Sequence, residues 1–179
     1  MKYLIVSDIH GALDSAQIVC NVFEKEKCDK ILCLGDILYH GPRNDLPNEY
    51  KPKEVVKLLN EYKDDIIAIT GNCDAEVDAM VLAFKFNYTL DLDINGFNAH
   101  LEHGHHLDEL LNKNYQQYDI VLYGHTHIPD NSEKNGVKFF NPGSITLPKN
   151  NTKRSYAIWE NNIIKLYNIL GKVIDTLKL

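Results

Sequence analysis

Apolar and polar positions fall into blocks along this chain, and the blocks repeat. Lys2 to Ser7 is a β-rich apolar run that stops at Asp8, a pattern that suits a buried strand. From about Leu13 to Lys27 the apolar positions Ala16, Val19, Cys20 and Phe23 recur at helical spacing. Lys30 to Leu34 is a second short strand, ending at Gly35-Asp36. A polar loop with Gly41-Pro42 and Pro47 follows, and Pro52 suits the first residue of a helix reaching about Tyr62. Asp65 to Thr70 is a third strand, ending at Gly71-Asn72-Cys73-Asp74. This strand, loop, helix rhythm predicts an α/β sheet.

The second half is richer in strands. Tyr88 to Ile94 and Phe97 to Glu102 flank Asn95-Gly96, a strong hairpin signal. A short helix is predicted around Leu107 to Asn112, and a strand from Ile120 to Tyr123 ends at Gly124-His125. Asn135-Gly136 turns into a strand over Val137 to Phe140. Ser155 to Trp159 and Ile163 to Ile169 pair around Asn161-Asn162, and the tail from Lys172 to Leu179 alternates like an outer strand. With no repeat, low-complexity tract or linker, residues 1–179 read as a single domain.

Composition narrows the function. The charged fraction of 25% and hydrophobic fraction of 44% are those of an ordinary globular chain, and 179 residues can bury their own core. A net charge of -6 argues against strong nucleic-acid binding or attachment to an anionic membrane. No stretch approaches the ~20 apolar residues of a membrane span. The first eight residues turn acidic too soon for a signal peptide, so a cytoplasmic location is expected. Cys20, Cys28, Cys33 and Cys73 match no zinc or redox spacing and read as reduced thiols.

The chemistry lies in the eight histidines and their acidic neighbours. Each apolar strand of the predicted sheet releases metal-capable residues as it ends: Asp8-Ile9-His10, Asp36, Asn72 with Asp74, His103-Gly104-His105, and His125-Thr126-His127. Ligand sites of open α/β sheets gather beyond the carboxyl ends of the strands, so five such loops can converge. Carboxylate, amide oxygen and imidazole suit Mn, Fe or Zn. In Asp-x-His and His-x-His an extended backbone would turn alternate side chains to one side. Glycines 11, 35, 71, 104 and 124 would remove bulk beside these residues. Each motif alone has an ordinary reading as a helix cap, a turn or a surface loop. Five of them together, each at a strand end, do not.

Asp8-Ile9-His10, Gly35-Asp36, Gly71-Asn72-Cys73-Asp74, His103-Gly104-His105 and Gly124-His125-Thr126-His127 resemble, in order and spacing, the motifs of the calcineurin-like metallophosphoesterases. The segments Gly35 to Asn44 and Phe140-Asn141-Pro142-Gly143-Ser144 are similar to loops of their YfcE-type bacterial phosphodiesterase branch. The resemblance implies a four-layer α-β-β-α sandwich, two facing mixed sheets flanked by helices. It also implies two divalent metal ions, manganese first, with zinc, iron or nickel as alternatives. One would be held by Asp8, His10, Asp36 and His127, the other by Asp36, Asn72, His103 and His125, with Asp36 shared. Many members of the wider family carry histidine after the asparagine. Here that residue is Cys73, a poor proton donor, and His105 is a candidate replacement. Asp74 is expected to orient a neighbouring ligand or water, and Arg43 to meet a substrate phosphate or leaving group.

The activity so implied is hydrolysis of small phosphodiesters, which ask less of acid catalysis than monoesters. The alternatives are a metal-binding scaffold subunit of the same fold with little catalysis, a phosphomonoesterase, or a nuclease. His100 reads as structural, His40 and His106 as neighbours of the site or solvated, and Tyr115, Tyr118, Tyr123 and Tyr167 as packing residues. The alternating C-terminal strands leave an edge on which a homo-oligomer can form.

Overall fold

A computed structural model describes residues 1–179. Strand β1 (Lys2–Val6) leads through helix α1 (Leu13–Lys25) to β2 (Lys30–Cys33), and α2 (Pro52–Asn60) leads to β3 (Ile66–Ile69). The short elements α3 (Asp78–Val81) and β4 (Phe86–Asn87) follow. Next come β5 (Thr89–Ile94), β6 (Phe97–Glu102), α4 (Leu107–Leu111), β7 (Ile120–Leu122), β8 (Asp130–Lys134) and β9 (Val137–Asn141). Three antiparallel strands finish the chain: β10 (Ser155–Glu160), β11 (Ile163–Asn168) and β12 (Val173–Lys178).

These form two mixed sheets. The first has the order β12-β11-β10-β1-β2-β3-β4, parallel from β1 to β4. The second has the order β5-β6-β7-β9-β8, parallel through β6, β7 and β9. Alternation along the strands divides the core. Tyr3 and Ile5 of β1 turn toward the second sheet, where they meet Ile94, Ala99, Leu101, Ile120, Leu122 and Phe140. Leu4 and Val6 turn the other way, onto Ala16, Val19 and Cys20 of α1 and Val55 and Leu59 of α2. On the far side of the second sheet Tyr115, Tyr118, Tyr123, Val137 and Phe139 pack with Leu107, Leu110 and Leu111 of α4 and its flanks. The four predicted layers are present, the last one thin.

Three elements were not legible. Asp130–Lys134 reads DNSEK, with four of its five residues exposed, so it carries no apolar signal as the partner of β9. Strand β4 has two residues and α3 has four, too short for any period to register. Helix α1 also ends at Lys25 rather than Lys27, and Lys27 adopts the left-handed backbone that closes the turn into β2.

Register places the strand ends level. Val6 pairs with Cys33 and Cys33 with Ala68 in the first sheet, while Leu101 pairs with Leu122 and Leu122 with Phe140 in the second. The parallel strands of both sheets therefore end at one rim. Strand β1, near the middle of its sheet, is flanked by β2 and by β10 from the far end of the chain, with Lys2 opposite Glu160.

Candidate metal centre

Loop hydrogen bonds gather the ligand-capable residues. The backbone N–H groups of Asp8, His10 and Gly11 donate to the carbonyls of Gly35, Asp36 and Ile37, so the first two loops run side by side. Gly124 donates to the His103 carbonyl at 2.8 Å, which joins the two histidine loops. A final loop ties both halves together. Ser144 Oγ donates to the Asp8 carbonyl at 3.0 Å, Thr146 Oγ1 to that of Ile9 at 2.8 Å, and Asn141 Nδ2 to that of Gly124 at 2.7 Å.

Asp8, His10, Asp36, His103 and His127 are all buried. His10 Nδ1 donates to the Tyr39 carbonyl at 2.7 Å, His103 Nδ1 to that of Leu34 at 2.6 Å, and His127 Nδ1 to that of Leu147 at 2.6 Å. A carbonyl can only accept, so each Nδ1 carries hydrogen, and in the neutral ring Nε2 is the bare lone pair. These lone pairs face one another and the acids. His10 Nε2 lies 3.2 Å from His127 Nε2, and His127 Nε2 lies 3.4 Å from Asp8 Oδ1. Asp36 Oδ2 is 3.7 Å from His10 Nε2 and 3.4 Å from His103 Nε2, which itself lies 3.1 Å from Asn72 Oδ1. Both carboxylate oxygens of Asp8 are buried without a hydrogen-bond partner. Lone pairs turned on lone pairs around unpartnered carboxylate oxygens are unfavourable unless a cation stands among them. The donor set, imidazole nitrogen with carboxylate and amide oxygen, fits a divalent transition metal.

Three overlapping groups each bring one ligand atom per residue within 4.8 Å of one another: Asp8, His10 and His127; Asp8, Asp36 and His103; and His10, Asp36 and Cys73. His125 stands at the open side, its ring centroid 5.2 Å from that of His103. Electrostatics favours added positive charge at the centre, which in the absence of metal is a proton on His103. Burial lowers His10, His105 and His125, the last to about 4. Against burial, Asp36 and Asp8 push His103 up to about 9, and the facing His103 with the Cys73 amide holds Asp36 well below the usual carboxylate range.

One sequence expectation needs correction, and another is met by a different route. The Asp8-x-His10 and His125-x-His127 pairs are not presented by extended backbone. Asp8, His10, Asp36, His125 and His127 all have positive φ, between 50 and 65°. Non-glycine residues held there cost of order 1 kcal/mol or more each, and such strain collects at functional sites. Asp74 does orient a neighbouring ligand, through backbone amides rather than an imidazole. Its carboxylate accepts the backbone N–H groups of Asp36 at 2.8 Å, Ile37 at 2.8 Å and Gly71 at 2.7 Å, so it clamps the loop that carries Asp36. Burial pushes Asp74 up to about 6, restrained by those donors.

Of the five glycines, three border the site. A Cβ on Gly71 would lie 2.1 Å from Asp36 Oδ1, on Gly35 2.7 Å from His103 Nδ1, and on Gly124 1.9 Å from Ser7 Oγ. Gly11 and Gly104 instead meet the Leu38 carbonyl and the Tyr123 ring. Cys73 Sγ lines the cleft, its thiol pushed up to about 12 by burial and by Asp36. His105 is half-buried, 5.5 Å from His103 between ring centroids, with its Nδ1 unpartnered. Arg43 is exposed at the cleft mouth. Facing the same cleft is Lys149, which sequence reading passed over. Its signal was the cluster Lys149, Lys153 and Arg154 just beyond the closing loop.

The residues read as structural behave so. His100 is buried between Asp91 and Glu102, and Tyr118 donates to Asp91. His40 packs against Tyr39 and Tyr50, and exposed His106 meets Glu109. Tyr115, Tyr118 and Tyr123 are buried, Tyr167 stacks on Tyr156, and Cys20, Cys28 and Cys33 are buried free thiols.

Comparison with known proteins agrees with this geometry. Residues 1–162 match the calcineurin-like phosphoesterase superfamily domain. The chain is 36% identical to phosphodiesterase YfcE of Escherichia coli over 93% of its own length and 91% of that protein's. It is 29% identical to the probable metallophosphoesterase YsnB of Bacillus subtilis over 99% and 97%. The solved structure of YfcE, described as a phosphoesterase from E. coli, superposes with a TM-score of 0.90 at 33% identity, covering 99% of each chain. Zinc-bound Vps29 of Entamoeba histolytica shares the fold, with a TM-score of 0.66 at 22% identity over 99% of each chain. By sequence and by fold, this chain belongs to the calcineurin-like phosphoesterase superfamily.

Proposed function

We propose that the protein is a phosphodiesterase that hydrolyses small phosphodiesters with two divalent cations, manganese foremost and zinc, iron or nickel as substitutes. The observation that carries this reading is the set of Nε2 atoms of His10, His103 and His127, their Nδ1 atoms tied to backbone carbonyls, turned on the buried carboxylates of Asp8 and Asp36. Asp8, His10, Asp36 and His127 would hold one cation, and Asp36, Asn72, His103 and His125 the other. Asp36 Oδ2 faces both His10 and His103, which suits the shared ligand. Bound there, divalent cations supply an activated water nucleophile and neutralise charge on the phosphoryl oxygens.

The chain's own groups do the rest. Asp74 fixes the Asp36 loop through three backbone amides, which preorganises the site. Cys73, its thiol pushed up by burial and by Asp36, is a weak acid, so it offers little acid help to the leaving alcohol. That suits diesters with acidic leaving groups. His105, neutral and half-buried beside the histidines, is the nearest candidate to relay a proton. Arg43 at the mouth offers a fork of donors to a phosphate oxygen.

A cytoplasmic location fits four free cysteines, and no helix is long and apolar enough to cross a membrane. Strong nucleic-acid binding does not fit a net charge of -6. The β12 edge, where Val173 and Ile174 are exposed, is available to a second copy.

The test is to strip the protein with chelator, restore Mn, Zn, Fe, Ni or Mg singly, and assay bis(p-nitrophenyl) phosphate beside p-nitrophenyl phosphate. Diester turnover should return with manganese, and Asp36→Asn should lose most of it. Turnover without any cation, or on the monoester alone, would overturn the reading.

A further inference from the structure

Two cations stand at the mouth of the site with no acid to hold. Arg43 and Lys149 line the cleft whose floor includes Asp36, Asn72, His125 and His127. Both are exposed, and neither joins an ion pair. Many surface lysines of this chain are equally unpaired; what sets Arg43 and Lys149 apart is that both line the cleft over the acidic floor. In a chain of net charge -6 they put two positive charges at the mouth of the site.

Their backbones are fixed while their side chains are free. The Lys149 N–H donates to the His127 carbonyl at 3.3 Å. The Lys149 carbonyl accepts from Thr152 N at 3.0 Å and from Thr152 Oγ1 at 2.6 Å. Arg43 lies in a turn closed by Asn44, whose Nδ2 donates to the His40 carbonyl at 2.7 Å. Each charged end therefore starts from a set point on the rim, one on the loop after Asp36 and the other on the loop after the closing Ser144.

The charge balance of the floor shows what they are free to bind. Asp8, Asp36 and Asp74 supply three carboxylates, and two divalent cations would leave one positive charge. The activated water, as hydroxide, would take that charge. Arg43 and Lys149 then bring two positive charges against the single negative charge of a diester, and a second phosphate on the substrate carries up to two negative charges near neutral pH. An arginine fork and a lysine point charge are the pair of groups suited to hold such a phosphate.

We infer that Arg43 and Lys149 form an anion subsite beside the scissile group, which selects phosphodiesters whose alcohol carries a second phosphate. The inference deepens the phosphodiesterase reading and rests on it for the substrate class, but the binding experiment below does not require turnover.

Thymidine 5′-phosphate and thymidine 3′,5′-bisphosphate are titrated by calorimetry into the manganese-loaded protein. The wild type should bind the bisphosphate about tenfold more tightly than the monophosphate, the range of one added charge-assisted contact. Lys149→Met should bring that ratio close to one, and Arg43→Met should do the same. Lys149→Arg should keep it, and Lys25→Met at the far end of α1 should leave it unchanged. In turnover, the p-nitrophenyl ester of thymidine 5′-phosphate should gain a lower KM when a 3′-phosphate is added, and Lys149→Met should remove that gain. Equal binding of the two ligands by the wild type would overturn the subsite. So would a ratio that survives Lys149→Met, because the cations would then serve the scissile phosphate itself. If no diester turns over but the ratio behaves as stated, the subsite stands and the phosphodiesterase reading falls.

Discussion

Asp8 gives the sharpest test of the buried lone-pair arrangement, because one substitution should change stability in opposite directions with and without metal. The side chain is 0% exposed and neither oxygen has a hydrogen-bond donor. The imidazole nitrogens that face it are His127 Nε2 at 3.4 Å and His10 Nε2 at 3.7 Å, both able to accept in the neutral ring. In chelated protein an asparagine at this position has no charge to bury, and its Nδ2 can donate to those nitrogens. Relieving one such unsatisfied buried group is worth about 1–3 kcal/mol. For a chain of this size that is a rise in Tm of roughly 2–12 °C. With manganese the sign reverses. A cation at a hundred times its Kd adds ~2.7 kcal/mol to the wild type, and Asp8→Asn forfeits most of that gain. The assay is thermal unfolding followed by fluorescence of Trp159, the single tryptophan, which is fully buried between the sheets. Both proteins are melted in chelator and in excess manganese. A chelated Asp8→Asn that melts below chelated wild type would refute the reasoning.

Three further outcomes follow from the same geometry. Gly71→Ala should fold, since Gly71 is not among the positive-φ residues, but its Cβ would sit 2.1 Å from Asp36 Oδ1. Displacement of that order should cost about 10²-fold in diester turnover, and manganese titration should show weaker binding. Cys73→Ser should leave the rate on bis(p-nitrophenyl) phosphate within about threefold, because a neutral thiol is a weak acid and p-nitrophenolate leaves without one; a hundredfold loss would assign the thiol an active role. His100 is raised above its ordinary value despite burial, by the neighbouring carboxylates of Glu102 at 3.5 Å and Asp91, which accepts from Nδ1 at 2.6 Å. A raised folded value means its contribution to stability is complete below the unfolded pKa and disappears as pH rises through the folded one. The stability difference between wild type and His100→Gln, from urea unfolding, should therefore be larger at pH 5.5 than at pH 9.

The strand ends were legible because burial writes itself as apolar runs, and because each run stops at a residue that solvates poorly inside a core. Asp8, Asp36, His103, His125 and His127 were therefore placed at the correct rim without coordinates. Their backbone was not legible. Left-handed φ at aspartate and histidine leaves no mark in composition, and it is imposed by neighbouring loops such as Asp8 N–H to the Gly35 carbonyl. The route by which Asp74 acts was hidden for a similar reason. Its partners are backbone amides, which every residue owns, so no side-chain pattern points to them. Lys149 was missed because an unpaired surface lysine looks like any other until the cleft beside it is known. Strand β8 was missed because it is held by its ladder to β9 and a few polar side-chain bonds, with almost no buried apolar side chain to mark it.

The bond from Ser144 to the Asp8 carbonyl spans 136 positions, and β1 finds one of its two neighbours only when β10 arrives. A ribosome releases the first ligands long before it releases the loop that secures them. The nascent chain thus carries Asp8, Asp36 and Asn72 exposed to whichever ions surround it, yet lacks the framework to grip any. Loading becomes an event of the finished polypeptide, so the choice of ion falls to the completed cage and the cell's free-ion pools rather than to conditions at the exit tunnel.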